Sequence, residues 1–245
     1  LIIKHLIENK VIEVYVEKIR SVANKQYAAI MNPDRIEFLI AQCYDLVDHN
    51  WSLSDKVNFV EMCDEISTMT LELMRNVKIV SILESLQNKE IVALMSQMLF
   101  KEAKSEYSSQ AWAPHQDNSY PKNENGSYVT TNLFFGDSNI DNGTIYVFPK
   151  SHKYGLFQCK SSPSYREKKG SNPGNIIGND ILSSFDKINL EFEKGDLLIL
   201  HGDLVHGSHP NYSDKSRPLL SCSYINKGEK FIPGNNAKRK EIELK

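Results

Sequence analysis

His115 and Asp117 stand two residues apart in Trp112-Ala113-Pro114-His115-Gln116-Asp117. A second histidine-rich stretch follows far downstream, His201-Gly202-Asp203-Leu204-Val205-His206-Gly207-Ser208-His209. In an extended segment, side chains i and i+2 share one face. If residues 112–118 are extended, His115 and Asp117 project together and Gln116 points the other way. Two imidazoles and a carboxylate make a three-ligand metal site with coordination positions left open, which suits iron(II) that must also bind a cosubstrate and oxygen. His201, His206 and His209 compete as the third ligand, and spacing alone does not choose among them. A His-x-Asp pair by itself is commonplace; the downstream stretch gives it weight.

Arg217, in Ser216-Arg217-Pro218, adds a guanidinium that stays charged and grips carboxylates with two parallel hydrogen bonds. Placed on a strand after the last ligand, it would hold the far carboxylate of a dicarboxylic cosubstrate such as 2-oxoglutarate.

The elements that must position these groups change character near residue 88. Before it, helical spacing dominates. Residues 1–31 read mostly as helix through Val11, Val14, Val16 and Ile19. Asn32-Pro33-Asp34 is a helix start, followed by Ile36, Leu39, Ile40, Cys43, Leu46 and Val47. A further helix is capped by Ser54 or Asp55 and carries Val57, Val60, Cys63, Ile66 and Leu73, and another covers 79–88. After residue 88 the spacing predicts strands over 91–100, 128–135, 144–148, 188–192, 197–201 and 219–225, divided by Gly/Asn/Asp turns. Short strands of this kind suggest a sandwich or barrel. Residues 158–184 are polar and rich in Gly, Pro, Ser and Lys; they lie between the two halves of the metal site and read as a structureless, mobile lid. The tail Lys238-Arg239-Lys240 reads as a solvated terminus.

Composition narrows the function. With 245 residues, 24% charged, 40% hydrophobic and a net charge of −2, no basic field points to nucleic acid and no acidic tail to a basic partner. A small-molecule substrate is expected. No apolar run reaches the roughly 18 residues of a membrane span. Residues 1–19 carry too many charges for a signal peptide, and the natural start is expected to precede Leu1. Cys43, Cys63, Cys159 and Cys222 form no CxxC pair, which fits a reducing, cytoplasmic setting. Oligomeric state leaves no trace in the sequence.

Taken together, residues 97–224 resemble the phytanoyl-CoA dioxygenase family of Fe(II)/2-oxoglutarate oxygenases. The marks are His115-Gln116-Asp117, the Asp141-Asn142-Gly143-Thr144 turn, Val147-Phe148-Pro149-Lys150-Ser151-His152 (with Lys150 for the usual Gly), and His206-Gly207-Ser208-His209-Pro210-Asn211. Arg217 lies eleven residues after His206. The resemblance implies a mostly β fold with flanking helices, a double-stranded β-helix (jelly-roll) core over 91–230 and a mainly helical part over 1–90 within one domain. It implies Fe(II) bound by His115, Asp117 and His206, with 2-oxoglutarate and O2 as cosubstrates. Arg217 and Ser208 would bind the distal carboxylate of 2-oxoglutarate, with Gln97 and Asn132 as further cosubstrate contacts and His152 structural. A carboxylate at Asp117, where related halogenases have a small residue, favours hydroxylation or a related oxidation. By position, Gln116, Tyr120, Trp112, the 121–127 loop and the 158–184 lid would contact substrate. Two other readings share the ligands: a jelly-roll binding module without chemistry, and a cupin-type metalloenzyme using another metal. Arg217 favours the oxygenase, because neither needs a dicarboxylate clamp.

Overall fold

Short runs rich in β-branched and aromatic residues, separated by Gly, Asn and Asp turns, fold into two facing sheets. The structure is a computed structural model and describes residues 1–23, 38–41, 68–104, 108–162, 174–234 and 239–245. The larger sheet runs β1 (Ile2–Ile3), β10 (Leu197–His201), β5 (Val129–Phe134), β12 (Leu219–Asn226), β3 (Ile91–Leu99) and β2 (Phe38–Ala41). The smaller runs β4 (Trp112–His115), β11 (His206–Ser208), β6 (Ile145–Val147) and β9 (Ile188–Asn189), and β7 (Cys159–Ser162) pairs with β8 (Gly174–Ile177). All these neighbours are antiparallel except β2, which runs parallel to β3. This is the double-stranded β-helix architecture, with helices on one side.

The inner strands of the larger sheet, β3, β5, β10 and β12, are buried on both faces. On β5, Val129 and Leu133 join a core with Ile12, Tyr15, Ile79 and Leu83 of the helices, while Thr130 and Asn132 face the interior between the sheets. On β12, Leu220, Cys222 and Tyr224 face the helices, and Leu219, Ser221 and Ser223 face inward. The inward face is polar in the middle of the barrel and apolar at one end, where Phe134, Ile145, Val147, Phe192 and Leu200 pack together. That polar inner strip is where a ligand can sit.

The helices cover the outer face. α1 (Asn9–Ala23) buries Ile12, Tyr15 and Ile19, spaced i, i+3 and i+7. The valines predicted to lead its apolar face turn outward, Val11 at 44% and Val14 at 41% exposure, because Tyr15 takes the contact edge-on against Phe135. α2 (Val77–Gln87) starts where the Asn76 side chain accepts from the amides of Lys78 and Ile79, and stops at Asn88 in left-handed conformation. Residues 68–74 are also helical.

Several sequence expectations are corrected. Phe38–Ala41, read as helix, is strand β2, added in register alongside Ser96–Leu99; the cap at 32–34, Ile36, residues 42–66 with Cys43 and Cys63, and the second helix start lie outside the described residues. Strand 112–118 ends early: β4 stops at His115, Gln116 is extended, and Asp117–Ser119 is a 3-10 turn. Strand 188–192 reduces to Ile188–Asn189 plus a bridge from Phe192 to Ser138. The 158–184 segment is not structureless. It carries β7, β8 and the one-turn helix α3 (Asn179–Leu182), and buries Ile177 and Leu182 against Tyr146, Phe148 and Val205. Its few apolar residues do the anchoring, and they are hidden in the sequence by Gly, Ser and Lys. The C-terminal tail is anchored too: Ile242 bridges Ala93, and Ile242 and Leu244 are buried. Cys159 and Cys222 are free thiols. Among the described residues no helix is long and apolar enough to cross a membrane.

Candidate metal centre and cosubstrate pocket

His115 ends β4 and His206 begins β11, and the antiparallel register sets them directly opposite each other, ring centroids 4.5 Å apart. Each ring is fixed in the same way. The Nδ1 of His115 donates to the carbonyl of Ala113 at 2.7 Å, and the Nδ1 of His206 to that of Leu204 at 3.0 Å. A carbonyl can only accept, so Nδ1 carries the proton and Nε2 presents its lone pair. Both Nε2 atoms converge on Oδ1 of Asp117, at 3.4 and 3.6 Å. Asp117 reaches this point because the chain turns at residues 117–119; its Oδ2 accepts from the Thr130 hydroxyl of β5 at 2.7 Å. The centre therefore ties the two sheets together.

One ligand atom from each of the three residues lies within 4.8 Å of the others. Metal–ligand bonds of about 2.0–2.2 Å place neighbouring ligand atoms about 3 Å apart, so the donor set fits a divalent ion after small adjustments. Electrostatics agree. Burial raises the Asp117 carboxyl, but His206, His115 and the Thr130 hydroxyl outweigh it and hold the group well below the usual carboxylate range. Burial lowers the His206 imidazole, favouring the neutral form a metal needs. Gly207 is required beside the ligand: a Cβ there would lie 2.6 Å from the carbonyl oxygen of Trp112 on the neighbouring strand.

The three ligands line one cavity of about 630 Å³. At its inner end lie Gln97, Leu99, Trp112, Asn132, Ile145, Ser208, Arg217 and Leu219. Arg217 is 1% exposed; its Nε donates to the carbonyl of Gly143 at 3.2 Å, and its Nη1 is buried with no partner. Burial pushes the guanidinium down to about 9. Gly143, at φ +89, serves this contact: a Cβ would lie 2.8 Å from the carbonyl of His209. The Asp141-Asn142-Gly143-Thr144 turn thus positions the arginine. The indole Nε1 of Trp112 is a second buried donor without a partner, on the strand position paired with Ser208. Unpaired buried donors around a polar cavity fit an oxyanion.

Lys101 was missed by the sequence reading. It is fully buried, and its ammonium donates to Oγ of Ser208 at 2.8 Å and to the carbonyl of His209. Burial, then Arg217, depresses its pKa far below normal. Among the described residues neither Lys101 nor Arg217 forms an ion pair with a carboxylate. Where Lys101 donates to Ser208 Oγ, the Ser208 proton is left to point into the cavity. The signal was parity: Met95, Gln97 and Leu99 face inward, and Lys101 is the next step of two. Thr130 was legible likewise, two residues before Asn132.

Other predicted residues separate. Tyr120 lines the outer end, where its hydroxyl accepts from the Asn175 amide at 3.0 Å, and burial raises it to about 12. Gln116 is not in the cavity, which corrects the substrate assignment. It is 1% exposed and acts as a brace: its Nε2 donates to the carbonyls of Gly155 and Asp203, and its Oε1 accepts from the Phe157 amide. One step along an extended chain reverses the face. His201 spends its Nδ1 on the Asp203 amide, and His209 pairs with Asn189, so neither joins the centre. His152, in the 151–154 turn, lies tilted against His201, ring centroids 5.3 Å apart. That turn is preceded by Lys150 at φ 70, the left-handed position where the resembled family has Gly.

Comparison with known proteins agrees with this geometry. The model of the phytanoyl-CoA dioxygenase (PhyH) family matches residues 1–219. A phytanoyl-CoA dioxygenase of Arabidopsis thaliana is 31% identical over 123 residues, 46% of this chain and 38% of that protein. The chain thus spans less than half the length of this relative. Among solved structures, the non-haem α-ketoglutarate-dependent carbocyclase SnoK of nogalamycin biosynthesis superposes with a TM-score of 0.64 at 16% identity, covering 100% of this chain and 89% of SnoK. The epimerase SnoN, in complex with Fe3+, α-ketoglutarate and nogalamycin RO, gives 0.62 at 16% identity, covering 94% and 80%. These structures share the fold. On the family match, this chain belongs to the phytanoyl-CoA dioxygenase family.

Proposed function

We propose that the chain is an Fe(II)- and 2-oxoglutarate-dependent oxygenase that oxidises an unactivated C–H bond of a small molecule, with hydroxylation as the outcome. The observation that carries this reading is one cavity holding both the His115, Asp117 and His206 cluster and the unpaired guanidinium edge of Arg217. A binding module needs no such ligand set, and a simple metallohydrolase needs no second buried cation at Lys101.

Iron(II) bound at the three ligands supplies oxygen activation coupled to conversion of 2-oxoglutarate to succinate and CO2. The protein's part is orientation. His115 and His206 hold two positions with rings locked by backbone carbonyls, and Thr130 keeps Asp117 turned toward them. Arg217, Ser208 and Trp112 donate to the distal carboxylate, with Lys101 behind Ser208 and with Gln97 and Asn132 along the wall. The cosubstrate supplies the counter-charge that the buried Arg217 guanidinium lacks and promotes the protonated form of Lys101 beside it, which favours its binding over that of a neutral molecule. Asp117 fills the position that a halide would need. Of the 158–184 segment, residues 158–162 and 174–184 serve as a wall and lid at the mouth, with 163–173 outside the described residues, in one functional unit with the rest of the chain. The free thiols Cys159 and Cys222 support a cytoplasmic setting.

The test is cosubstrate turnover. Purified protein with Fe(II), 2-oxoglutarate and oxygen should form succinate slowly without any substrate and faster when one is supplied. Iron-replete protein that never forms succinate, with or without a broad metabolite mixture, would refute the reading.

A further inference from the structure

The outer end of the cavity holds a cation that the cosubstrate does not use. Arg239, on the C-terminal segment read from sequence as solvated, lines the cavity beside Tyr120, Tyr128, Gly174 and Asn175. Its Nε is buried with no partner, its Nη1 makes only a long contact, 3.4 Å, to the carbonyl of Pro233, and its guanidinium also donates a hydrogen bond to the Tyr128 hydroxyl. Among the described residues no carboxylate pairs with it. Tyr120 and Tyr128 line the same cavity as Asp117 and Arg239, and each lies within electrostatic reach of both. The anchored tail makes the placement firm, since Lys240 donates to the carbonyl of Leu94 and Ile242 exchanges backbone hydrogen bonds with Ala93.

A guanidinium with a free edge, next to aromatic rings and facing a cavity, is a recognition device for an oxyanion. Arg217 already answers the cosubstrate at the other end, and the volume exceeds what 2-oxoglutarate fills. Resting on the oxygenase reading above, we infer that the substrate is itself an anion: it presents a carboxylate or phosphate to Arg239 and lays an apolar portion along Met95, Tyr120 and Tyr128, which directs a C–H bond of that portion toward the metal.

The test uses protein loaded with Zn(II), which takes the same ligand types without redox chemistry, and saturated with 2-oxoglutarate. Ligand-observed NMR compares hexanoate and phenylacetate with hexanamide and phenylacetamide, and adds phenyl phosphate. The acids should bind at least ~10-fold more tightly than the amides, as a charge-assisted pair requires. Arg239→Gln should remove that preference and Arg239→Lys should keep part of it, with melting curves and 2-oxoglutarate titration reporting that each variant is folded. Whichever of phenylacetate and phenyl phosphate binds better assigns the oxyanion. Equal binding of acids and amides, a preference that survives in Arg239→Gln, or no anion bound at millimolar concentration would overturn the inference while leaving the oxygenase reading intact. Failure of wild-type protein to bind 2-oxoglutarate would overturn both.

Discussion

The two ends of the cavity are built differently. The inner end stands on ladder positions: His115 and His206 face each other across paired strands, Asn132 and Ser221 pair across β5 and β12, and Ser208 pairs with Trp112. Most side chains there are placed by hydrogen bonds that hold the sheets together, while Asp117 comes from the 3-10 turn after β4 and Arg217 from the segment just before β12. The outer end comes from connecting segments: Tyr120 after a 3-10 turn, Asn175 on the short β7–β8 ribbon, and Arg239 on the C-terminal tail. Rigid ladders suit a chemistry that must stay the same, and loops suit a substrate that differs between relatives.

That contrast can be broken from the inner end first. Replacing His206 or Asp117 with alanine should abolish iron binding and lower turnover by at least about a thousandfold, checked by metal analysis and succinate formation. Next, Arg217→Ala leaves a carboxylate without its charge partner, so 2-oxoglutarate affinity should fall about 30- to 1000-fold, with iron still bound. Lys101→Met should raise the KM for 2-oxoglutarate about tenfold with little change in kcat, because it acts through Ser208. Combined with Ser208→Ala it should add little; full additivity in that double-mutant cycle would mean Lys101 works independently.

Changes outside the ladder should have smaller effects on the cosubstrate. Tyr120→Phe removes the acceptor of the Asn175 amide and should leave 2-oxoglutarate affinity within about twofold while altering substrate response, measured by titration and by stimulated succinate formation. Glu229 tests the corner behind Tyr128. Burial raises its carboxyl, but hydrogen bonds from Ser127, Asn226 and Asn123 outweigh this and hold it at about 2 against a usual 4.5. A depressed pKa means stability that is present above about pH 4.5 and lost as pH falls toward 2. Wild-type melting temperature should drop across that window more steeply than that of Glu229→Gln.

The same contrast governs what the sequence disclosed. His115 and Asp117 were legible as a pair, although Asp117 arrives by a turn rather than along a strand. His206 could be chosen only by resemblance; the structure adds the physical reason, since His201 is occupied by the Asp203 amide and His209 by Asn189. Gln97 and Asn132 lie on inward faces that period-two counting locates, and the same counting carried one step further would have reached Lys101 and Thr130. Gln116 fell to the opposite face of that period. Arg239 had no local signal: it is far in sequence from the metal ligands, and backbone bonds of Lys240 to Leu94 and of Ile242 with Ala93 bring it to the cavity. Strand β2 was masked by a spacing that helices and buried strands share.

The central claim is that one cavity binds iron(II) through His115, Asp117 and His206 and 2-oxoglutarate through Arg217. Anaerobic absorption spectroscopy tests it most directly, with Fe(II) added before and after 2-oxoglutarate to wild-type, Arg217→Ala and His206→Ala proteins. The account expects a visible charge-transfer band that needs 2-oxoglutarate, is absent in His206→Ala, and in Arg217→Ala returns only at higher cosubstrate concentration. Iron bound at this site with no band at any 2-oxoglutarate concentration would contradict it.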